Sequence, residues 1–273
     1  MSTHPEPAEA LRSFEIVRVR GGARSPASDS AATEEPLEIR LHRRPFAVIM
    51  RTPGADRELT AGFLLSERVI RTSDDLGAIE FCRDADRQNV VDVTLTDAAG
   101  LDRVFDGRRQ VTANSSCGLC GRLTIESLKT DVPPVASTLR VTAAAIAALP
   151  SGLRGSQAVF EETGGLHAAG LFDSDGTLAG TAEDVGRHNA VDKVIGRMLM
   201  RDALPLDGHA LCVSGRTSYE IVQKAIIAGI PIVAAVSAPS SLAIELAGAF
   251  GVTLVGFLRG DSFNIYTHAN RIV

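Results

Sequence analysis

The run Ile230-Pro231-Ile232-Val233-Ala234-Ala235-Val236 decides the fold. Its apolar residues do not alternate with polar ones, and Pro231 and Ser237-Ala238-Pro239 bound them. That pattern suits a strand buried on both faces, which belongs to a sheet covered by helices on both sides. The flanking sequence repeats the theme. Before it, Ala210-Leu211-Cys212-Val213 reads as a second short buried strand, followed by the turn Ser214-Gly215-Arg216-Thr217-Ser218 and a helix from about Tyr219. After it, Ser237-Ala238-Pro239 opens a helix through Phe250, and Val252 to Phe257 is a further strand. Strands alternating with helices predict a three-layer α/β domain. Further upstream, Val141 to Leu149 reads as an Ala-rich helix with Thr142 near its cap. Gln157–Phe160 and His167–Phe172 read as strands, and Val185 to Arg201 as a helix.

The first part has another texture. Leu37–Leu41, a polar turn at His42 to Arg44, and Phe46–Arg51 suggest a hairpin that Thr52-Pro53-Gly54 ends. A helix over Leu59–Glu67 and strands at Ile79–Arg83 and Val90–Leu95 complete a small α+β unit over 34–110. Phe14 to Arg20 alternates as a strand does, whereas Gly21 to Ser30 reads as a flexible linker, so 1–33 are expected to be a flexible segment. A mobile loop at 111–122 joins the small unit to the α/β domain at 123–273.

The chain has 273 residues and a net charge of −5, which disfavours broad attraction to nucleic acid or to an anionic membrane. Residues 1–12 lack the apolar core of a signal peptide. The longest apolar run, Ala225 to Val236, falls short of the roughly 20 residues that cross a bilayer. Four cysteines in a chain of this size point to reduced thiols in the cytoplasm rather than a disulfide framework.

Two of those cysteines stand in Ser115-Ser116-Cys117-Gly118-Leu119-Cys120-Gly121. Sulfurs so placed can cycle through a disulfide, supply half a metal site or carry a persulfide. Structural zinc needs four ligands, usually as two close pairs, and only one close pair exists; Cys82 and Cys212 sit in apolar strand patterns, so no metal is expected. A helix starting near Gly121, with Arg122 beside the pair, would favour the nucleophilic thiolate. A zinc deaminase would carry His-x-Glu and a proline before its cysteine pair. Here Ala169 stands two residues after His167, and Ser116 precedes Cys117, so that water-activating machinery is missing.

Three further segments carry polar chemistry. Glu183 to Lys193 packs Glu183, Asp184, Arg187, His188, Asn189 and Lys193 at an expected loop-to-helix junction, more than a helix cap requires, and reads as a ligand or proton-transfer site. The turns at Ser214–Ser218 and Ser237–Ser241 would expose backbone N–H groups at the carboxyl ends of strands, where open α/β sheets bind ligands. In Phe257 to Tyr266, Arg259 suits a phosphate and Phe257 a base, but Arg259-Gly260-Asp261 alone reads as a plain β-turn between strands.

Together with Glu35–Ile39, Thr52-Pro53-Gly54, Gly62–Leu65, Thr163-Gly164-Gly165-Leu166-His167, Ser214–Lys224 and Ala238–Glu245, these segments resemble the formate dehydrogenase accessory sulfurtransferases, the FdhD family, from about residue 34 to the C-terminus. The resemblance implies a cytoplasmic homodimer with a cytidine-deaminase-like α/β domain that lacks zinc. It implies a sulfur carrier loaded by a cysteine desulfurase, which passes sulfur to the molybdenum bis(guanine dinucleotide) cofactor destined for formate dehydrogenase. By the same resemblance Cys117 carries the persulfide and Cys120 assists. The guanine-dinucleotide contact maps onto Phe257, Leu258, Arg259, Gly260, Asp261 and Ser262, which replaces the plain-turn reading. Ser214, Gly215, Arg216, Arg187 and His188 would add cations and backbone donors for the same ligand. The rival reading is a dithiol–disulfide oxidoreductase using both cysteines.

Overall fold

The computed structural model describes residues 10–82, 89–98, 101–106 and 132–273. Cys117, Cys120, the loop at 111–122 and the helix expected after Gly121 lie outside the described residues. The chain opens with β1 (Leu11–Arg20) and β2 (Ala23–Ala32), antiparallel over all ten residues of each. This corrects the expected linker at Gly21 to Ser30. Gly21 and Gly22 both have positive φ, the geometry of the tight two-residue turn whose twist matches a hairpin, and so the Ser- and Ala-rich stretch that follows is folded back onto β1.

β3 (Glu35–Leu41) and β4 (Arg44–Arg51) form a second hairpin, again closed by two positive-φ residues, His42 and Arg43. With β5 (Leu76–Phe81) and β6 (Val90–Leu95) they make a four-stranded sheet in the order β4-β3-β6-β5. Its inner face, including Leu37, Ile39 and Val91, packs on α1 (Asp56–Ser66). A short α2 (Leu101–Asp106) follows.

The larger part contains α3 (Ala143–Arg154), α4 (Ala158–Thr163), β7 (His167–Phe172), β8 (Leu178–Asp184), α5 (Arg187–Leu199), β9 (Ala210–Val213), α6 (Tyr219–Ile227), β10 (Ile232–Ala235), α7 (Ser241–Ala249), β11 (Thr253–Arg259) and β12 (Ser262–Thr267). Six strands lie in the order β12-β11-β10-β9-β7-β8. The central β9, β10 and β11 are parallel, as their unbroken apolar sequences require, and antiparallel strands flank them. One face meets α3 through Ile146, Leu149, Phe172, Cys212 and Ile232. The other meets α5, α6 and α7 through Leu171, Val191, Leu211, Val222 and Val233. This is the three-layer α/β architecture. Thr142 caps α3 as expected, its side chain accepting from the Ala145 N–H at 3.1 Å.

Two expectations change. Gln157–Phe160 is not a strand: Ala158–Thr163 is helical, because the Glu183 carboxylate accepts from the Val159 and Phe160 N–H groups and caps the first turn from a distance. Gly180 to Asp184 is not a loop but the end of β8, paired with β7.

The small sheet and the α/β part share one core that runs through α1 to α5. Those two helices touch backbone to backbone. A Cβ at Gly62 would fall inside the Asp192 carbonyl, and one at Gly196 inside the Glu58 carbonyl. Only glycine permits an approach that close.

Candidate functional site

Parallel pairing brings the carboxyl ends of β9, β10 and β11 to one edge of the six-stranded sheet, and the antiparallel strands bring the start of β7 and the end of β8 to the same edge, where His167 faces Asp184. Ser214 is pinned there twice: its N–H donates to Ala168 O at 3.0 Å, and its Oγ accepts from Ala168 N at 2.9 Å. The two turns are stitched together by Thr217 N donating to Ala238 O (3.2 Å) and Ser240 N donating to Thr217 O (3.0 Å). Phe257 N donates to Ser237 O at 3.1 Å, which attaches the last turn to this row. The segments singled out at 187–188, 214–218 and 257–262, far apart in sequence, therefore share one rim.

At its centre Gly215 leaves room for the side chains of His167 and Arg187. A Cβ there would stand 3.3 Å from His167 Nδ1 and 3.8 Å from Arg187 Cδ. Arg187 begins α5, and its Nε is buried without a hydrogen-bond partner among the described residues. Burial, reinforced by the Arg187 charge, holds His167 below the ordinary imidazole value, and Asp184 only partly offsets this. His188, buried in the first turn of α5, places Nε2 3.2 Å from Ser218 Oγ and 3.8 Å from Glu220 Oε2. Arg216 is exposed at the rim.

The last turn has a different geometry. Phe257 adopts φ 55°, a left-handed conformation costing a bulky residue about 1–3 kcal/mol. The pairing of β11 with β12 shifts register around it, and its side chain is 40% exposed. Gly256 beside it is required, since a Cβ would lie 2.8 Å from Pro239 Cδ. Arg259, Gly260, Asp261 and Ser262 all face solvent, with Arg259 paired to Ser262 across the turn. Leu258 differs: its side chain is in the core beneath α3, so only its backbone reaches the rim.

The Glu183–Lys193 cluster is divided by the fold, which corrects its reading as a single ligand site. Asp184 is fully buried and paired with Lys193 Nζ at 2.7 Å, and it accepts from Thr52 N (3.2 Å), Gly186 N (2.8 Å) and Asn189 Nδ2 (2.8 Å). Lys193 also donates to Thr52 O and Asn189 to Met50 O, both at 2.8 Å. These residues clasp the end of β4 to α5, and Glu183 caps α4. Arg187 and His188 alone of the six face the rim.

Cys212 is fully buried in β9, and burial pushes its thiol up to about 12, so it is an inert packing residue. Cys82 is half-buried at the end of β5. Among the described residues no group of three or more His, Cys, Asp or Glu side chains is arranged to hold a metal, and no helix is long and apolar enough to cross a membrane. His167 is a rim residue that the sequence does not single out. Its only signal is the Gly164-Gly165 turn that precedes it.

Comparison with known proteins identifies the family and the fold. The sequence profile of the FdhD/NarQ family covers residues 32–273. The sulfur carrier protein FdhD of Streptomyces coelicolor is 50% identical over 269 residues, 94% of each chain. That of Saccharolobus solfataricus is 47% identical over 268 residues, covering 96% of this chain and 98% of the other. A crystal structure of a proposed formate dehydrogenase accessory protein from Desulfotalea psychrophila superposes with a TM-score of 0.78 at 28% identity, covering 97% of this chain and all of that one. The chain belongs to the FdhD/NarQ family of sulfur carrier proteins.

Proposed function

We propose that this protein accepts sulfane sulfur from a cysteine desulfurase as a persulfide on Cys117 and passes it to the molybdenum bis(guanine dinucleotide) cofactor on which formate dehydrogenase activity depends. The observation that carries this reading is close similarity, over nearly the whole chain, to proteins named as sulfur carriers. Cys117-Gly118-Leu119-Cys120 supplies the sulfur chemistry it needs. In loading, the Cys117 thiolate attacks the outer sulfur of the desulfurase persulfide. The old S–S bond breaks, a new one forms on Cys117, and the desulfurase cysteine leaves as thiolate, so no external oxidant is consumed. Cys120, three residues on in the sequence, assists the onward transfer. The cofactor is cargo. Its phosphates suit the Arg187, Arg216 and Arg259 side chains and the bare N–H groups of the Gly215 turn, and its guanines suit exposed Phe257. A cytoplasmic homodimer serving the cofactor's transfer to formate dehydrogenase completes the reading.

Intact mass after incubation with a cysteine desulfurase and cysteine tests it. The expected result is a gain of one sulfur atom that reductant reverses and Cys117→Ala abolishes. No gain, with ready loss of two hydrogen atoms to an added disulfide oxidant as a Cys117–Cys120 disulfide forms, would replace it with dithiol redox chemistry. Cys117→Ala should also fail to restore formate dehydrogenase activity in cells lacking the protein, whereas Cys120→Ala should retain part of it.

A further inference from the structure

β1 and β2 form a two-stranded ribbon that no third strand joins among the described residues. Its base is tied down: Thr33 N donates to Ala10 O at 2.9 Å, Arg12 pairs with Glu35, and β2 rests on α4. Ten residues in each strand carry the ribbon about 34 Å. Along it Val17 is 62% exposed and Val19 58%. The register sets Val17 opposite Pro26 and Val19 opposite Arg24, so these four side chains share one face. A lone two-stranded ribbon is at best marginally stable in water, and one that bares bulky apolar side chains is built to lie against a surface.

The same chain carries a surface of matching character. β4 is an edge of the four-stranded sheet, and Val48 and Met50 alternate along it with buried Ile49 and Arg51. They stand on the face turned away from α1, 57% and 40% exposed. Cross-strand register places Glu38 beside Val48, with Asp92 and Glu80 further across that face. Arg40, on the same face, is already paired to Glu38 at 2.7 Å, which leaves the acidic groups in excess. The ribbon has the opposite balance. It carries Arg12, Arg18, Arg20 and Arg24 against Glu15 and Asp29, on a chain whose net charge is −5. A basic apolar ribbon and an acidic apolar sheet face attract each other. They do not meet within one chain, since Val17, Val19, Val48 and Met50 all stay exposed.

The geometry points to reciprocal arm exchange between two copies of this chain: the ribbon of each lies across the outer face of the other's four-stranded sheet. One contact made twice about a two-fold axis closes a dimer and leaves no unmatched surface for further growth. Each ribbon face covers about 34 Å by 10 Å, so arm and sheet together would bury about 700 Å² per protomer. That is near the roughly 800 Å² per partner of a stable interface. The exchange deepens the homodimer of the proposed function by naming its surface, and rests on that reading for the pairing itself. Its test needs no sulfur transfer.

Sedimentation velocity of the full-length protein over a range of concentrations is the experiment, repeated on Val17→Asp/Val19→Asp in the ribbon and Val48→Asp in the sheet. All three positions are exposed, so both variants keep the wild-type circular dichroism spectrum. Wild type is a dimer that added salt loosens. Each variant sets a carboxylate against the wrong partner surface and raises the dimer dissociation constant by about tenfold or more. An equimolar mixture of the two variants associates more tightly than either alone, because one intact ribbon then meets one intact sheet face in each pair. A wild-type dimer that either variant leaves unchanged overturns the exchange while the homodimer stands. Loss confined to the ribbon variant is such an outcome, and would mean that ribbons pair with one another instead. Wild type monomeric throughout overturns the exchange together with the homodimer, and persulfide loading is then judged on its own mass measurement.

Discussion

The α1–α5 join and the rim of the six-stranded sheet lie at two ends of one helix, and their polar groups are treated in opposite ways. At the join the buried charges are matched. Asp184 holds Lys193 and three N–H donors, Asp192 receives Lys224 Nζ on both oxygens at 2.7 Å and Ser66 Oγ at 2.8 Å, and Arg51 pairs with Asp56. At the rim Arg187 Nε and Thr217 Oγ1 are buried without partners among the described residues, and Phe257 is held in a strained backbone conformation. The groups left open at the rim are ones the proposed cargo would complete. Stability is built at the join, and the proposed recognition falls at the rim.

Substitutions that break this contrast should differ in size. The largest loss is expected at Asp184→Ala, which strands Lys193 in the core and should cost about 3–5 kcal/mol in denaturant unfolding. A cost below about 1 kcal/mol would mean that the join is not the clasp described. Gly196→Ala comes next, at about 3 kcal/mol, because the added methyl meets backbone that cannot rotate away. Circular dichroism should show the loss as a lowered denaturation midpoint. Phe257→Gly should do the reverse at the rim. It relieves a left-handed φ, so stability stays level or rises by about 1 kcal/mol, while affinity for guanine nucleotides falls. Unchanged affinity would remove Phe257 from the ligand surface.

The smallest effect belongs to His167. Its folded value lies below the ordinary one, so the unfolded chain takes up the proton first as pH falls. The stability it contributes is therefore complete above the ordinary imidazole value and drains away as pH drops toward the folded one. Melting temperatures between pH 7.5 and 5.5 should fall less steeply in His167→Gln than in wild type. A bound phosphate should also flatten the wild-type slope, by favouring the protonated ring.

The parts legible in the sequence are those where one local signal dominates. Ala210–Val213 was bounded to the residue because an apolar run ended by Ser-Gly has one sensible reading, and Thr142 announced the start of α3. The misreadings arose where a distant group decided the outcome. Ala23–Ala32 has poor strand residues and is a strand because the Gly21-Gly22 turn lays it against β1. Gln157–Phe160 is a short apolar run, ambiguous by period, and Glu183 from β8 settles it as helix. The Glu183–Lys193 cluster looked like a single site because its residues are adjacent in sequence, but helix geometry sends Arg187 and His188 one way and Asn189 and Lys193 another.

The glycine contact between α1 and α5 has a mechanical consequence. With no side chains between the two backbones, the helices cannot slide independently, and α5 is carried with α1 and the small sheet as one rigid piece. Arg187 sits nine residues, about 14 Å, from Gly196 along that piece. A tilt of a few degrees, imposed on the small sheet by whatever docks against it, would move the guanidinium by about an ångström, enough to make or break a hydrogen bond to a phosphate. Under the proposed function, events on the far side of the protein would thereby set the grip on the cargo.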